Sequence, residues 1–179
     1  LEVIKYAKML NSKKLSALRS GNISIRYKDG FFITPSGKKY SSLKNSDIVF
    51  VNLEGNFNKK NGTPSSEWKF HQDIYINKEE ANAIVHAHST NAAAVSAHKK
   101  GIPAFHYMVA MAGGYDIKCA KYATVGTRLL SKNILLALKN RKACLISNHG
   151  QIAFEKNISK AFELAEEVEN ISLQYITSL

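Results

Sequence analysis

Apolar and polar positions change their period several times along this chain, and each change marks an element. From residue 1 to about 18 the apolar residues Val3, Ile4, Ala7 and Leu10 recur at helical spacing, which predicts an N-terminal helix. The pattern then alternates. Residues 22–27 predict a strand, Lys28-Asp29-Gly30 a tight turn, and residues 31–34 the returning strand. A further strand is expected at 47–52, and the polar, glycine-containing stretch 56–64 predicts a loop. Residues 67–75 suit a short helix opened by Pro64-Ser65-Ser66, residues 83–88 a buried strand, and residues 91–98 an alanine-rich helix. Gly113-Gly114 marks a turn, residues 128–138 another helix, and 144–147 and 151–154 strands on either side of Asn148-His149-Gly150. The last helix is the clearest: Ala161, Leu164, Ala165, Val168, Ile171 and Tyr175 form one stripe, opposite Glu163, Glu166, Glu167 and Asn170. Neighbouring hairpins predict an α/β fold in a single domain over residues 1–179, with a central, mainly antiparallel sheet flanked by helices.

Composition narrows the function. A chain of 179 residues, 45% hydrophobic and 22% charged, can bury a substantial core and is unlike a disordered or coiled-coil sequence. No apolar run approaches the ~20 residues of a membrane-spanning helix, so no membrane partner is expected. Leu1-Glu2-Val3-Ile4-Lys5-Tyr6 lacks the character of a secretory signal. With only Cys119 and Cys144, no disulfide framework is expected, and a reducing cytoplasm is the expected compartment. The net charge of +11 would suit nucleic acid, an acidic surface or a phosphorylated metabolite. Its lysines are scattered, as at Lys13-Lys14, Lys38-Lys39, Lys59-Lys60 and Lys99-Lys100, without interleaved aromatic residues. Nucleic acid is therefore not expected.

Candidate chemistry begins at His86-Ala87-His88. On a strand, residues two apart project from one face, so both imidazoles could share a metal. The same spacing also fits two structural, hydrogen-bonded histidines, and a metal needs a third ligand. His149, between two strand-like runs, is the candidate, and three histidines would leave an open position of the kind found in catalytic zinc sites. His71, His98 and His106 are expected to pack or hydrogen-bond. Ser65 and Ser66 fit a helix N-terminus, and the same hydroxyls and free N–H groups could cradle phosphate. Glu67 would then project beside that cradle, as an acid–base carboxylate would. Thr34-Pro35-Ser36-Gly37 and Ser20-Gly21-Asn22 are small polar loops equally suited to phosphate oxygens.

Taken in order, the motifs resemble the class II aldolase/adducin family over about residues 20–175. The resemblance is carried by Gly21-Asn22-Ile23-Ser24-Ile25-Arg26-Tyr27, Ile33-Thr34-Pro35-Ser36-Gly37, Pro64-Ser65-Ser66-Glu67-Trp68-Lys69-Phe70-His71 and His86-Ala87-His88. It continues through Ile102-Pro103-Ala104-Phe105-His106-Tyr107-Met108, Tyr122-Ala123-Thr124 with Gly126-Thr127, and Asn148-His149-Gly150. It implies one zinc ion (Zn2+) per subunit held by His86, His88 and His149, with Glu67 as fourth ligand when substrate is absent. It implies phosphate binding by Gly21, Asn22, Ser36, Gly37, Ser65 and Ser66, and catalytic roles for Glu67 and Tyr107. It further implies a homotetramer with active sites between subunits, Tyr107 serving a neighbour's zinc. The implied reaction is metal-stabilised retro-aldol cleavage of a ketose 1-phosphate to dihydroxyacetone phosphate and a hydroxyaldehyde. A pentulose-5-phosphate 4-epimerase, which carries aspartate in place of Glu67, a related zinc sugar-phosphate lyase such as a methylthio sugar-phosphate dehydratase, which keeps the glutamate, and a non-catalytic adducin-like binding module are the other readings within the family. Two departures stand out: Leu15-Ser16-Ala17-Leu18-Arg19 lacks the glycine–threonine pair usual before Gly21, and the sequence reaches Leu179 soon after the last helix, where a tail with a further tyrosine would be expected.

Overall fold

Strands β1 (Asn22–Tyr27) and β2 (Gly30–Ile33) form the hairpin expected from their alternation, with Tyr27 opposite Gly30. The structure is a computed structural model describing residues 2–179. Beyond the hairpin come β3 (Val49–Asn52), β4 (Ala83–Ala87), β5 (Cys119–Ala120), β6 (Ala143–Ile146) and β7 (Gly150–Glu155). These seven strands form one sheet in the order β3-β2-β1-β4-β7-β6-β5, antiparallel throughout except for the parallel pair β5–β6. The helices are α1 (Glu2–Ser12), α2 (Trp68–Asn77), α3 (Thr90–Ala97), α4 (Arg128–Ala137) and α5 (Ile158–Thr177). None is long and apolar enough to cross a membrane.

Helices cover both faces of the sheet. On one, Ile23, Val85, Leu145 and Ala153 pack with Leu10 of α1, Val95 of α3, and Phe162 and Val168 of α5. On the other, Phe31, Ile84, Ile152 and Phe154 pack with Phe70 and Ile74 of α2 and Leu130 and Ile134 of α4. Strand β4 lies centrally and every one of its residues is buried, which explains its continuous apolar run. It is consequently a rigid mount for whatever stands at its end.

Several boundaries differ from expectation, most by one or two residues, and three of them have a visible local cause or consequence. The first helix stops at Ser12 and does not run to 18. Polar residues 11–14 break the apolar spacing, Lys14 takes a left-handed φ of 58°, and the N–H groups of Leu15 and Ser16 both donate to the Leu10 carbonyl at 2.9 and 3.0 Å. This fold-back buries Leu15 and Ser16 against the sheet. The third strand begins at Val49 because Asn45–Asp47 is a 3₁₀ turn, closed by the Lys44 N–H donating to Asp47 Oδ2. Helix α2 begins one residue late, at Trp68, and Glu67 occupies its N-cap position without a capping side-chain bond. Strand β5 and the 3₁₀ helix Tyr107–Ala112 went unanticipated, being too short to show a period.

Candidate metal centre and phosphate cleft

The end of β4, the β6–β7 turn and the start of α2 meet at one edge of the sheet. His86 is the last-but-one residue of β4, paired with Asn22 on β1 and Ile152 on β7. His88 lies just past the strand, its N–H donating to Ser16 Oγ at 3.0 Å. His149 stands in the β6–β7 turn, its N–H directed to Ile146 O at 3.0 Å and Ser96 Oγ at 3.3 Å. The left-handed residue of that turn is Asn148, with φ 57°, and not Gly150. Gly150 is required for another reason: a Cβ there would collide with the Ala87 carbonyl of β4. The close strand approach that glycine permits carries His149 to His88.

The three Nε2 atoms converge. His88 Nε2 lies 2.9 Å from both His86 Nε2 and His149 Nε2. Glu67 closes the group, with Oε2 3.2 Å from His86 Nε2 and Oε1 3.2 Å from His149 Nε2. All four ligand atoms lie within 4.8 Å of one another. Ligands about 2.0–2.1 Å from a tetrahedral zinc stand roughly 3.3 Å apart, so these spacings fit one small cation. Hydrogen bonding alone leaves the group unsatisfied. The ring of His86 sends Nδ1 to the Gln151 carbonyl at 2.7 Å, which fixes Nδ1 as the protonated nitrogen and turns the Nε2 lone pair inward when the ring is neutral. Glu67 Oε1 is buried without a hydrogen-bond partner. A cation facing three lone pairs and an orphaned carboxylate oxygen would resolve every one of these contacts.

Electrostatics agree with a site built for positive charge. Burial is the largest single influence on Glu67 and would raise its pKa. The surrounding His86, His149 and His88 outweigh it and hold the carboxyl well below the usual range. Burial and then the charge of His86 bring His88 down to about 3 and His149 down to about 4, so both present lone pairs at neutral pH. His86 is also pushed down by burial, but the Glu67 carboxylate and the Gln151 carbonyl together raise it.

In front of the cluster lies a cleft of about 230 Å³. Gly21, Asn22, Ser36, Gly37, Ser65 and Ser66 all line it, together with Glu67, His88 and His149. The backbone dictates the glycine at 21: φ is +73°, and a Cβ would come within 2.5 Å of Ser16 Oγ and 2.7 Å of the His86 carbonyl. Its own carbonyl accepts a short hydrogen bond from Tyr40, a hydroxyl whose burial pushes it up to about 12 and keeps it a donor.

These features match a known family over nearly the whole chain: the model of the Class II Aldolase and Adducin N-terminal domain fits residues 1–176. The chain belongs to this family. L-fuculose phosphate aldolase of Escherichia coli strain K12 is 52% identical over 161 residues, covering 89% of this chain and 74% of the relative. The 5-methylthioribulose-1-phosphate/5-deoxyribulose-1-phosphate aldolase of Rhodospirillum rubrum is 43% identical over 173 residues, covering 97% and 78%. Among solved structures, an L-fuculose 1-phosphate aldolase superposes with a TM-score of 0.95 at 39% identity, covering 99% of this chain and 84% of that one. The mainly antiparallel sheet flanked by helices is thus the class II aldolase fold.

Not every expected residue of this class II aldolase stands in the cleft. Tyr107 opens the 3₁₀ helix Tyr107–Ala112, is 80% exposed, has its ring centre 4.8 Å from that of His106 in a tilted arrangement and does not line the cleft of its own chain. Asn22 lines the cleft, but its side chain is already engaged, Nδ2 donating to Glu67 Oε2 at 2.9 Å. The amide therefore holds the carboxylate, and what Asn22 still offers the cleft is backbone. Sequence reasoning passed over Arg19, which lines the cleft and donates to Gly37 O at 3.1 Å. Its position, directly before Ser20-Gly21-Asn22, was the available signal. His71 was expected only to pack, and it does so completely buried, but with both ring nitrogens hydrogen-bonded.

Proposed function

We propose that the chain is a zinc-dependent lyase that cleaves a ketose 1-phosphate of the L-fuculose 1-phosphate kind into dihydroxyacetone phosphate and a hydroxyaldehyde. One observation carries the reading: three histidine nitrogens and the partnerless Oε1 of Glu67 converge at the floor of a cleft walled by small polar loops. His86, His88 and His149 would hold one zinc per subunit. Bound zinc would supply a Lewis acid that draws off the negative charge developing on the substrate oxygens.

The remaining work falls to the chain itself. Ser36, Gly37, Ser65, Ser66 and the backbone of Gly21 and Asn22 bind the phosphate, with the Arg19 guanidinium adding positive charge at the same end. That anchorage orients the substrate's carbonyl and hydroxyl oxygens toward the histidine cluster. Glu67, ionised and buried, accepts and returns the proton at the reacting carbon. The exposure of Tyr107 supports its serving a neighbouring subunit's cleft within a homotetramer, taking the proton from the hydroxyl that becomes the aldehyde oxygen in cleavage and returning it in the reverse condensation. Free Cys119 and Cys144 suit a cytoplasmic enzyme.

The relative from Rhodospirillum rubrum favours a second substrate in the same class, a 5-deoxy or 5-methylthio pentulose 1-phosphate. An assay coupled to detection of dihydroxyacetone phosphate, run with L-fuculose 1-phosphate and with 5-deoxyribulose 1-phosphate, ranks the two. Release of dihydroxyacetone phosphate from neither, with zinc bound, would remove the aldolase reading. Conversion of a pentulose 5-phosphate to its 4-epimer would establish the epimerase instead.

A further inference from the structure

Acid–base work by a carboxylate needs one oxygen held still and the other left available. Behind Glu67 the structure contains a buried chain of hydrogen bonds that does the first. Tyr75 OH lies 2.8 Å from Ser24 Oγ, which lies 2.7 Å from His71 Nδ1. On the far side of the ring, His71 Nε2 lies 2.5 Å from Asn22 Oδ1, and Asn22 Nδ2 reaches Glu67 Oε2 at 2.9 Å. Ser24, His71, Tyr75 and Asn22 are at most 2% exposed, so solvent cannot substitute for any link.

The direction of the chain follows from its end. An ionised carboxylate only accepts, so the Asn22 amide must turn its NH₂ toward Glu67 and its oxygen toward His71. His71 Nε2 must then carry the hydrogen. A neutral ring with Nε2–H leaves Nδ1 to accept from the Ser24 hydroxyl, which accepts in turn from the Tyr75 hydroxyl. Every donor points toward Glu67, so each bond polarises the next. The origin is fixed as well: the Arg26 guanidinium sits 4.8 Å from the Tyr75 ring centre and donates to the Tyr75 carbonyl at 2.6 Å. All of this constrains Oε2 and leaves Oε1 facing His149 and the cleft.

We propose that His71 is a positioning residue for the lyase, setting through the Asn22 amide which Glu67 oxygen is held and which is free to work. The inference rests on the function proposed above. Its own signature is the ring tautomer and the way turnover responds when the link is cut.

Two measurements test it, both on zinc-loaded protein. In long-range ¹⁵N–¹H spectra of wild type labelled at histidine side chains, His71 is expected as the neutral Nε2–H tautomer. An Nδ1–H tautomer or an imidazolium near neutral pH would reverse the Asn22 amide and overturn the proposal. In kinetics, His71→Leu is expected to lower kcat about 10- to 100-fold, the usual cost of a lost outer partner, with KM nearly unchanged and zinc still bound. His71→Gln, whose amide N–H can reach Asn22 Oδ1, is expected to restore most of kcat. Wild-type turnover in His71→Leu, or equal loss of kcat and zinc in both variants, would overturn the positioning role alone. A wild-type protein that cleaves no ketose 1-phosphate would instead sink the functional reading on which it rests.

Discussion

The two faces of strand β1 meet different partners and obey different rules. On one, Ile23 and Ile25 enter the core shared with α1, α3 and α5, where burial is non-directional. On the other, Asn22, Ser24 and Arg26 turn toward α2 and are held by directed hydrogen bonds, with the Arg26 guanidinium also lying over the Tyr75 ring. Arg26 completes that face by donating from Nε to Ala81 O at 2.9 Å and from Nη2 to Lys78 O at 3.2 Å, across the end of α2. Six residues thus build stability on one side and orientation on the other. Mutations on the first should change how much protein is folded, and mutations on the second how well the folded protein works.

The largest expected effect is at the end of the directed face. Glu67→Gln should keep zinc, as measured by metal analysis, while kcat for ketose 1-phosphate cleavage falls about 10²- to 10⁴-fold, the usual worth of a positioned acid–base group. Turnover close to wild type would show that the directed face has no catalytic endpoint.

Acid should come next. In the metal-free protein, burial above all holds His71 and His88 down to about 3 and His149 down to about 4, against the 6.5 of an ordinary solvated imidazole. The unfolded chain therefore binds more protons than the folded one below 6.5, and stability is lost as pH falls from there toward 3–4. His71, fully buried, alone contributes a slope of up to about 1.4 kcal/mol per pH unit in that window. His86, whose pKa is raised, works in the opposite sense, stabilising at low pH and losing that contribution as pH rises, but it is one group against three. Urea midpoints at a series of pH values should fall between pH 6.5 and 4. A flat profile would mean these histidines are solvated.

Two substitutions one residue apart then divide the faces. Ile23→Ala removes a fully buried side chain and should cost about 2–5 kcal/mol in urea unfolding, with kcat per folded molecule unchanged. Ser24→Ala should cost less, about 1–3 kcal/mol, because it leaves His71 Nδ1 buried without a donor. Unlike Ile23→Ala, it should also lower kcat. If both variants behaved alike in kinetics, the division between the faces would fail.

Much of this molecule could be read from the sequence, and the residues say why. The alternation at 22–33 and the stripe on α5 each belong to neighbouring residues in the chain, and local sterics with one buried side are enough to select strand or helix. His86 and His88 could be paired on paper for the same reason, since a strand's period of two is a local property. The position of His149 between two strand-like runs offered it as the third ligand and the motif resemblance added Glu67 as the fourth, but only the tertiary structure shows the four ligand atoms together. That meeting depends on β4 pairing with β1 on one side and β7 on the other, pairings between distant segments with no short-range signal. The same pairings turned the Asn22 amide from the cleft to Glu67, made a buried link of His71, and left Tyr107 on the surface of its own chain. Periodicity tells a side chain which face it occupies, whereas its partner across that face is decided by whatever the rest of the chain brings there.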